Sequence, residues 1–399
     1  MTDLAPTSAD DVLSLVQWAA GEEVPLAVEG RATRSGIGRP MQTEHTLSLA
    51  GLSGVTLYEP AELVLSARAG TPISEIERLL ADNRQELAFE PMDHGPLLGL
   101  DAARGTIGGV LGANASGPRR IKAGAARDHI LGVSAVSGRG EAFKAGGRVV
   151  KNVTGYDLSK GLAGSWGTLA VVTDLTFKVL PAAETEVTLV IPGLSDEAAT
   201  QAMSLALGSP AEVAGAAHLP YGIAPRLDPA WAPAPVTLLR LEGFAASVAD
   251  RAARLSDLLK GAGAIDRLDA AASRPLWRGI RDCLPFADGT ERPVWRVSVA
   301  PSAGHRLVDA FRRHAGADCF YDWGGGLVWL RMEAEPEADA LRALVARLGG
   351  GHARLERASP AIRAAIPPFE PQPPALAALS QRLKEQFDPK GILNPGRMA

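Results

Sequence analysis

The sequence predicts an α+β fold in two parts with a tail, on three observations. Residues 1–180 alternate short apolar runs with amphipathic helical stretches, without the even βαβ rhythm of a doubly wound sheet. Residues 181–365 turn Ala-rich and hold five of the seven tryptophans. They interleave strand-like runs such as "TEVTLVIPG" and "RPVWRVSVA" with helices such as "SVADRAARLSDLLKGAG", the rhythm of an antiparallel sheet backed by helices. Residues 366–399 give a Pro-rich hinge, an amphipathic helix and a Gly/Pro-terminated tail expected to return to the first part. The expected domains are therefore 1–180, 181–365 and 366–399.

Each early element has a local reason. In "SADDVLSLVQWAA", Val12, Leu15, Val16 and Ala19 share a helical face behind Ser8 or Asp10 as cap. "EVPLAVEG" reads as a buried strand, and "GRATRSGIG" (30–38) follows it where ligand loops sit. "VTLYEPAELVLSARAG" gives two strands around Glu59-Pro60, and "TPISEIERLLADN" a helix with Ile73, Ile76, Leu79 and Leu80 inward. "DHILGVSAVSGRGEAFKAG" is a hairpin turning at Gly138-Arg139-Gly140. "GYDLSKGLAGSWGTLAVVTDLTFKVLP" adds a short helix, a Gly164–Gly167 turn and a long strand.

Composition excludes several classes of function. A net charge of -4 with scattered Lys and Arg offers no basic stripe for a phosphate backbone, so nucleic acid is not expected as a partner. Cys283 and Cys319 stand far apart, so neither a disulfide framework nor a thiolate metal or iron-sulfur site is encoded. The N-terminus lacks the basic start of a signal peptide, and no apolar run is long enough to span a bilayer. A cytoplasmic location is expected, with any membrane contact peripheral.

"GTIGGVLGANASG" (105–117) is the barest stretch in the chain. Glycines let backbone N–H groups approach a ligand closely. The stretch is neither a Walker loop nor a Rossmann turn, and by itself it fits equally a helix packed tightly on a sheet. Three more glycine-rich elements, 30–38, 161–168 and 391–396, recur at element ends and together suit a long, diphosphate-bearing cofactor.

The segments "PLAVEGRATRSGIG", "GTIGGVLGANASGPRR", "RDHILGVSAVSGRGE", "VVKNVTGYDLSKGLAGSWGTLAVVTDLTFKVLP" and "FDPKGILNPGRM" resemble the FAD-binding fold of the vanillyl-alcohol oxidase type. Within it they resemble the FAD-binding E subunits of bacterial glycolate oxidase. The resemblance implies a PCMH-type FAD-binding domain of two α+β subdomains, plus a cap with an antiparallel sheet and helices. It implies that Gly30, Arg31, Ala32, Thr33, Arg34 and Ser35 cradle the pyrophosphate. Gly105, Thr106, Ile107, Gly108, Gly109, Asn114, Ser116 and Gly117 would lie along the diphosphate and ribityl chain, with Asp128 at a turn beside the cofactor. Gly167, Thr168, Ala170 and Val172 would line the adenine side, and Asn394 would approach the isoalloxazine from the tail. The first loop has no His or Cys, so the FAD is expected to be non-covalent.

A cap motif of the form H-x-G-D-G-N-x-H, which the family's 2-hydroxyacid dehydrogenases carry, is missing, and the seven histidines never pair at metal-ligand spacing. No metal is expected. His94 and His129 flank the cofactor segments. For a substrate carboxylate, Arg274, Arg278 and Arg281 share a helical face that is either an anion site or a solvated basic face. Lys151, near Asn152, Tyr156 and Asp157, is either a partner for reduced flavin or a surface lysine.

The resemblance implies an FAD-dependent oxidoreductase acting on the CH–OH group of a 2-hydroxy acid. It would be the subunit of a glycolate oxidase complex that takes part in oxidising glycolate to glyoxylate, passing electrons through FAD. Its partners would be a larger FAD-binding subunit, where the missing cap motif places substrate oxidation, and an iron-sulfur subunit. The alternatives are a self-sufficient FAD-dependent dehydrogenase for a 2-hydroxy acid such as D-lactate, or a non-catalytic assembly subunit.

Overall fold

The computed structural model describes residues 2–149 and 155–398, whose strands form four sheets. The first helix, Ala9–Glu22, starts where Ser8 and Asp11 exchange side-chain-to-backbone bonds in a capping box, and it buries Val12, Val16 and Ala19. The helix packs on strands Ile130–Ser137 and Ala170–Lys178 of an antiparallel sheet. The first sheet is three-stranded and parallel, with His45–Ser48 between Thr2–Leu4 and Leu26–Glu29.

A second, antiparallel sheet runs in the order Val55–Glu59, Val64–Arg68, Ala170–Lys178, Ile130–Ser137, Ala142–Gly146. Its inward residues Leu65, Ala135, Leu175 and Phe177 share one core with Val12 of the first helix, with Leu26 and Leu47 of the first sheet, and with Ile107 and Leu111. The glycine-rich stretch folds here as the helix Ile107–Ala113, capped by Thr106, whose hydroxyl accepts the Gly109 N–H at 3.3 Å. Gly108 permits the approach: a Cβ there would lie 2.8 Å from the Ala69 carbonyl oxygen. Close packing likewise explains Gly117, where a Cβ would lie 2.6 Å from the Glu90 carbonyl oxygen, but not Gly105 or Gly112, where a Cβ would meet nothing within 4 Å.

The third large unit is an eight-stranded antiparallel sheet, ordered Asp266–Leu268, Thr185–Pro192, Val236–Gly243, Gly215–Leu219, Ala317–Asp322, Leu327–Met332, Val294–Ser298, His352–Arg357. Helices Asp196–Leu207, Ala245–Leu258, Pro301–Arg312 and Ala338–Arg347 cover one face. The other face buries Phe320, Trp329 and the helix Ala270–Arg281 together with Met92 and Leu97 of the N-terminal half. The strand period of two sorts the side chains: Trp295 and Val297 point to the helices, Val294 and Arg296 to the N-terminal half. The expected α+β class, with a helix-backed antiparallel sheet, is the fold that the chain adopts.

The helix Pro374–Phe387 leads the tail home. Leu26 N–H donates to the Ile392 carbonyl at 2.7 Å, and Asn394 N–H donates to the Leu26 carbonyl at 3.0 Å. Lys384 fastens the turn by donating to the Thr168 carbonyl at 2.6 Å and the Leu393 carbonyl at 3.1 Å. Among the described residues, no helix is long and apolar enough to cross a membrane.

Candidate functional site

The loop after Leu26–Glu29, the helix Ile107–Ala113 and the turn before Ala170–Lys178 open a cleft of about 810 Å³, part of it open to solvent. Its shape depends on missing side chains. A Cβ on Gly30 would lie 2.4 Å from Thr106 Oγ1, and one on Gly109 would lie 2.8 Å from Arg34 Nη1. Ala32 holds the loop in the left-handed region at φ 57°, and its carbonyl accepts the N–H of Ser35 at 3.2 Å.

The cleft is cationic. Arg31, Arg34 and Arg397 line it against the single acid Glu29. Arg34 donates through Nε to His94 Nδ1 at 3.2 Å and through Nη2 to the Met92 carbonyl at 3.3 Å. Arg397 donates to the Arg34 carbonyl at 2.8 Å, lies 5.4 Å from the Trp166 ring centre, and leaves its buried Nε without a partner. Burial pushes both guanidiniums down to about 10. Burial also raises the Glu29 carboxyl, with Arg397 opposing it.

Of the residues expected to hold a cofactor, the structure gathers Gly30, Arg31, Ala32, Thr33, Arg34, Ser35, Thr106, Gly108, Gly109, Gly167, Ala170 and Val172 on this cleft. The rest fall elsewhere. Ile107 is fully buried in the core, and the Gly105 carbonyl accepts the Ile73 N–H at 2.9 Å. The Thr168 hydroxyl donates to the Ser165 carbonyl at 2.7 Å. Exposed Asp128 accepts the Ala125 N–H at 2.8 Å and starts the short helix Ala126–His129. The Asn394 side chain is buried and fully committed to backbone, as described below. Gly117 faces the eight-stranded sheet, its carbonyl accepting Trp323 Nε1–H at 3.0 Å.

Asn114 and Ser116 line a second cavity, which shares Ala113 and Trp166 with the cleft. The Asn114 side chain accepts the Arg127 N–H and the Ser116 hydroxyl accepts the Ala126 N–H, each at 3.0 Å. Arg120, Arg296 and Arg354 line the cavity too, with His94 and the apolar Met92 beside them. The sequence reading missed these three arginines. Burial and the neighbouring Arg34, Arg354 and Arg296 hold His94 well below the usual histidine value, so its ring is neutral.

The arginine helix requires a correction. In Ala270–Arg281 the buried face is Ser273, Leu276, Trp277 and Ile280, while Arg274 and Arg278 are exposed to solvent and line neither cavity. Arg281 points to the N-terminal half, but both its arms are taken by Asp282 at 2.8 Å, with Glu77 at 3.7 Å. It ties the two halves and offers no free fork. Lys151 and Asn152 lie outside the described residues; Tyr156 is exposed, and Asp157 caps the helix Leu158–Leu162. His129 is structural, its Nε2 2.8 Å from the Ala123 carbonyl. Among the described residues, no cluster of three or more His, Cys, Asp or Glu could hold a metal ion.

Residues 3–146 match the model of the FAD binding domain, and residues 370–398 match the C-terminal domain of FAD linked oxidases. The chain is 34% identical to the glycolate oxidase subunit GlcE of Escherichia coli over 97% of its own length and 96% of that protein's. It is 29% identical to the glycolate oxidase subunit GlcD of Bacillus subtilis, over 50% of this chain and 41% of that one. A 4-ethylphenol oxidase from Gulosibacter chungangensis shares the fold with a TM-score of 0.74 at 14% identity, covering 100% of this chain and 88% of that one. The chain therefore belongs to the FAD-binding oxidoreductases of the FAD-linked oxidase type, in the family of the glycolate oxidase subunit GlcE.

Proposed function

We propose that the chain is the FAD-binding subunit of a glycolate oxidase complex, taking part in the oxidation of glycolate to glyoxylate and passing electrons through FAD to a partner subunit. One observation carries the reading: the 34% identity with GlcE runs nearly end to end in both chains. The cleft supports it. A glycine-lined groove with three cations, one of them carrying an orphaned buried Nε, suits a diphosphate-bearing cofactor. When bound, FAD supplies the acceptor for the two electrons of alcohol oxidation.

In this reading the loop Gly30, Arg31, Ala32, Thr33, Arg34 and Ser35 holds the pyrophosphate, its charge balanced by Arg31, Arg34 and Arg397. Thr106, Gly108 and Gly109 leave room beside it, and Gly167, Ala170 and Val172 bound the far wall. No cysteine or histidine lies in the first loop, so the flavin is held without a covalent tether. The partners are a larger FAD-binding subunit and an iron-sulfur subunit, since Cys283 and Cys319 are both buried and cannot hold a cluster. The complex works in the cytoplasm, touching the membrane only at its surface.

Deleting this chain in its host should abolish glycolate-dependent dye reduction, and a tagged copy should bring down a larger flavoprotein and an iron-sulfur protein. Undiminished dye reduction, with the tagged chain recovered alone, would overturn the proposal.

A further inference from the structure

The second cavity holds more positive charge than the protein itself answers. Arg296 and Arg354 are directly paired across adjacent antiparallel strands, so two guanidiniums share one sheet face. Like charges directly opposite each other destabilise a sheet. Arg354 is partly relieved, donating through Nε to Glu356 Oε1 at 2.8 Å. Arg296 is not: among the described residues neither it nor Arg120 has a hydrogen-bond or ion-pair partner for its guanidinium. Both instead lie over the Trp323 ring, at 4.8 Å for Arg120 and 4.7 Å for Arg296.

That arrangement brings one cation from each half of the molecule to a single aromatic ring. Leaving half-buried charges unpaired is costly, and desolvation together with Arg354 pushes the Arg296 guanidinium down to about 9, with Glu356 and Asp322 opposing. A second observation points into the same space. His94 is 2% exposed; its Nδ1 accepts from Arg34, so its Nε2 carries the proton, yet Nε2 has no partner. Glu356 Oε2, 3.8 Å away, is equally unpartnered.

Resting on the FAD-binding reading, we propose that this cavity binds the carboxylate of a small organic acid, with Arg120 and Arg296 as its guanidinium partners and His94 Nε2 as a further donor. Planar guanidiniums match a carboxylate's two oxygens, and the shared wall of Ala113 and Trp166 sets such a ligand beside the cofactor cleft. The anion site thus lies between the halves of this chain and away from Arg274 and Arg278. It means that this subunit meets a carboxylate itself.

The test uses the full-length chain as purified, with oxalate as a non-oxidisable probe, read by calorimetry and by the flavin difference spectrum. Oxalate should bind, and Arg120→Met and Arg296→Met should each weaken it at least about tenfold, while Arg278→Met leaves it unchanged. Arg296→Lys should keep part of the affinity. Because Arg296→Met removes a like-charge pair, the ligand-free variant should unfold no earlier than the wild type; a clear loss of stability, with oxalate binding intact, would mark Arg296 as structural and overturn the proposal. So would inorganic phosphate binding as tightly as oxalate, which would make the cavity a general anion site. A yellow chain silent to oxalate sinks this proposal alone, whereas a colourless chain sinks the FAD reading; calorimetry reads oxalate in either case.

Discussion

Asn394 clamps the peptide of Val28. Its Oδ1 accepts the Val28 N–H at 2.7 Å, and its Nδ2 donates to the Val28 carbonyl at 3.3 Å and to the Trp166 carbonyl at 2.7 Å. One side chain from the tail therefore ties the strand that launches the first loop to the turn that closes the cleft. The residue sits at φ 43°, a conformation that Asn tolerates better than most. With every polar atom spent on backbone, the side chain has none left to offer a ligand and acts on the cleft through the loops it fixes.

Asn394→Ala should leave buried backbone groups unpaired and cost about 3 kcal/mol, read as a lower urea midpoint. Flavin should be lost in the same variant, since both cleft walls lose their tie. Retained flavin with unchanged stability would show that the clamp does not shape the cleft.

Gly112 separates packing from binding. It lines the cleft inside the helix Ile107–Ala113, and a Cβ there would meet no protein atom within 4 Å. Gly112→Ala should raise the stability of the flavin-free chain by about 0.5–1 kcal/mol, as expected for Ala over Gly in a helix, while weakening flavin retention. Thermal unfolding without cofactor, set beside flavin content after dialysis, checks both signs. Equal flavin content would put the cofactor elsewhere.

Glu90 governs how acid acts on the junction between the halves. It receives Arg240 at 2.9 and 2.8 Å and the Arg119 N–H at 2.9 Å. Burial alone would raise its carboxyl, but the Arg240 and Arg119 guanidiniums outweigh that and hold it at about 2, below the ordinary 4.5. Its contribution is therefore fully present above about pH 4.5 and is lost as pH falls toward 2. Glu90→Gln leaves Arg240, itself 2% exposed, short of its main partner and should cost about 3 kcal/mol at neutral pH. The variant's stability should also fall less steeply on acidification. An acid limb identical to the wild type's would assign the transition to other carboxylates.

The glycine-lined cleft was legible in the sequence because its shape is carried by backbone. Bare loops need glycines, and glycines in "GRATRSGIG" and "GTIGGVLGANASG" announce themselves without any tertiary information. Arg120, Arg296 and Arg354 did not, because each has an ordinary local meaning. In "HARLERA", Arg354 and Glu356 alternate with Ala353 and Leu355, which reads as a solvent-facing strand edge. Only the packing of that sheet face against the N-terminal half turns them inward. For Arg274 and Arg278 the structure takes the other of the two readings left open, a solvated face, because their helix buries Trp277 instead. The signal for Arg296 was weak but present: an arginine amid "VWRVSV", where both strand neighbours are core residues.

The account rests most heavily on a flavin held in the glycine-lined cleft without a covalent bond. Precipitating the purified chain with acid and measuring flavin in the supernatant tests it most directly. About one FAD per chain should be released to the supernatant, leaving a colourless pellet. A chain that purifies without flavin and takes up none, or a pellet that stays yellow, would contradict it.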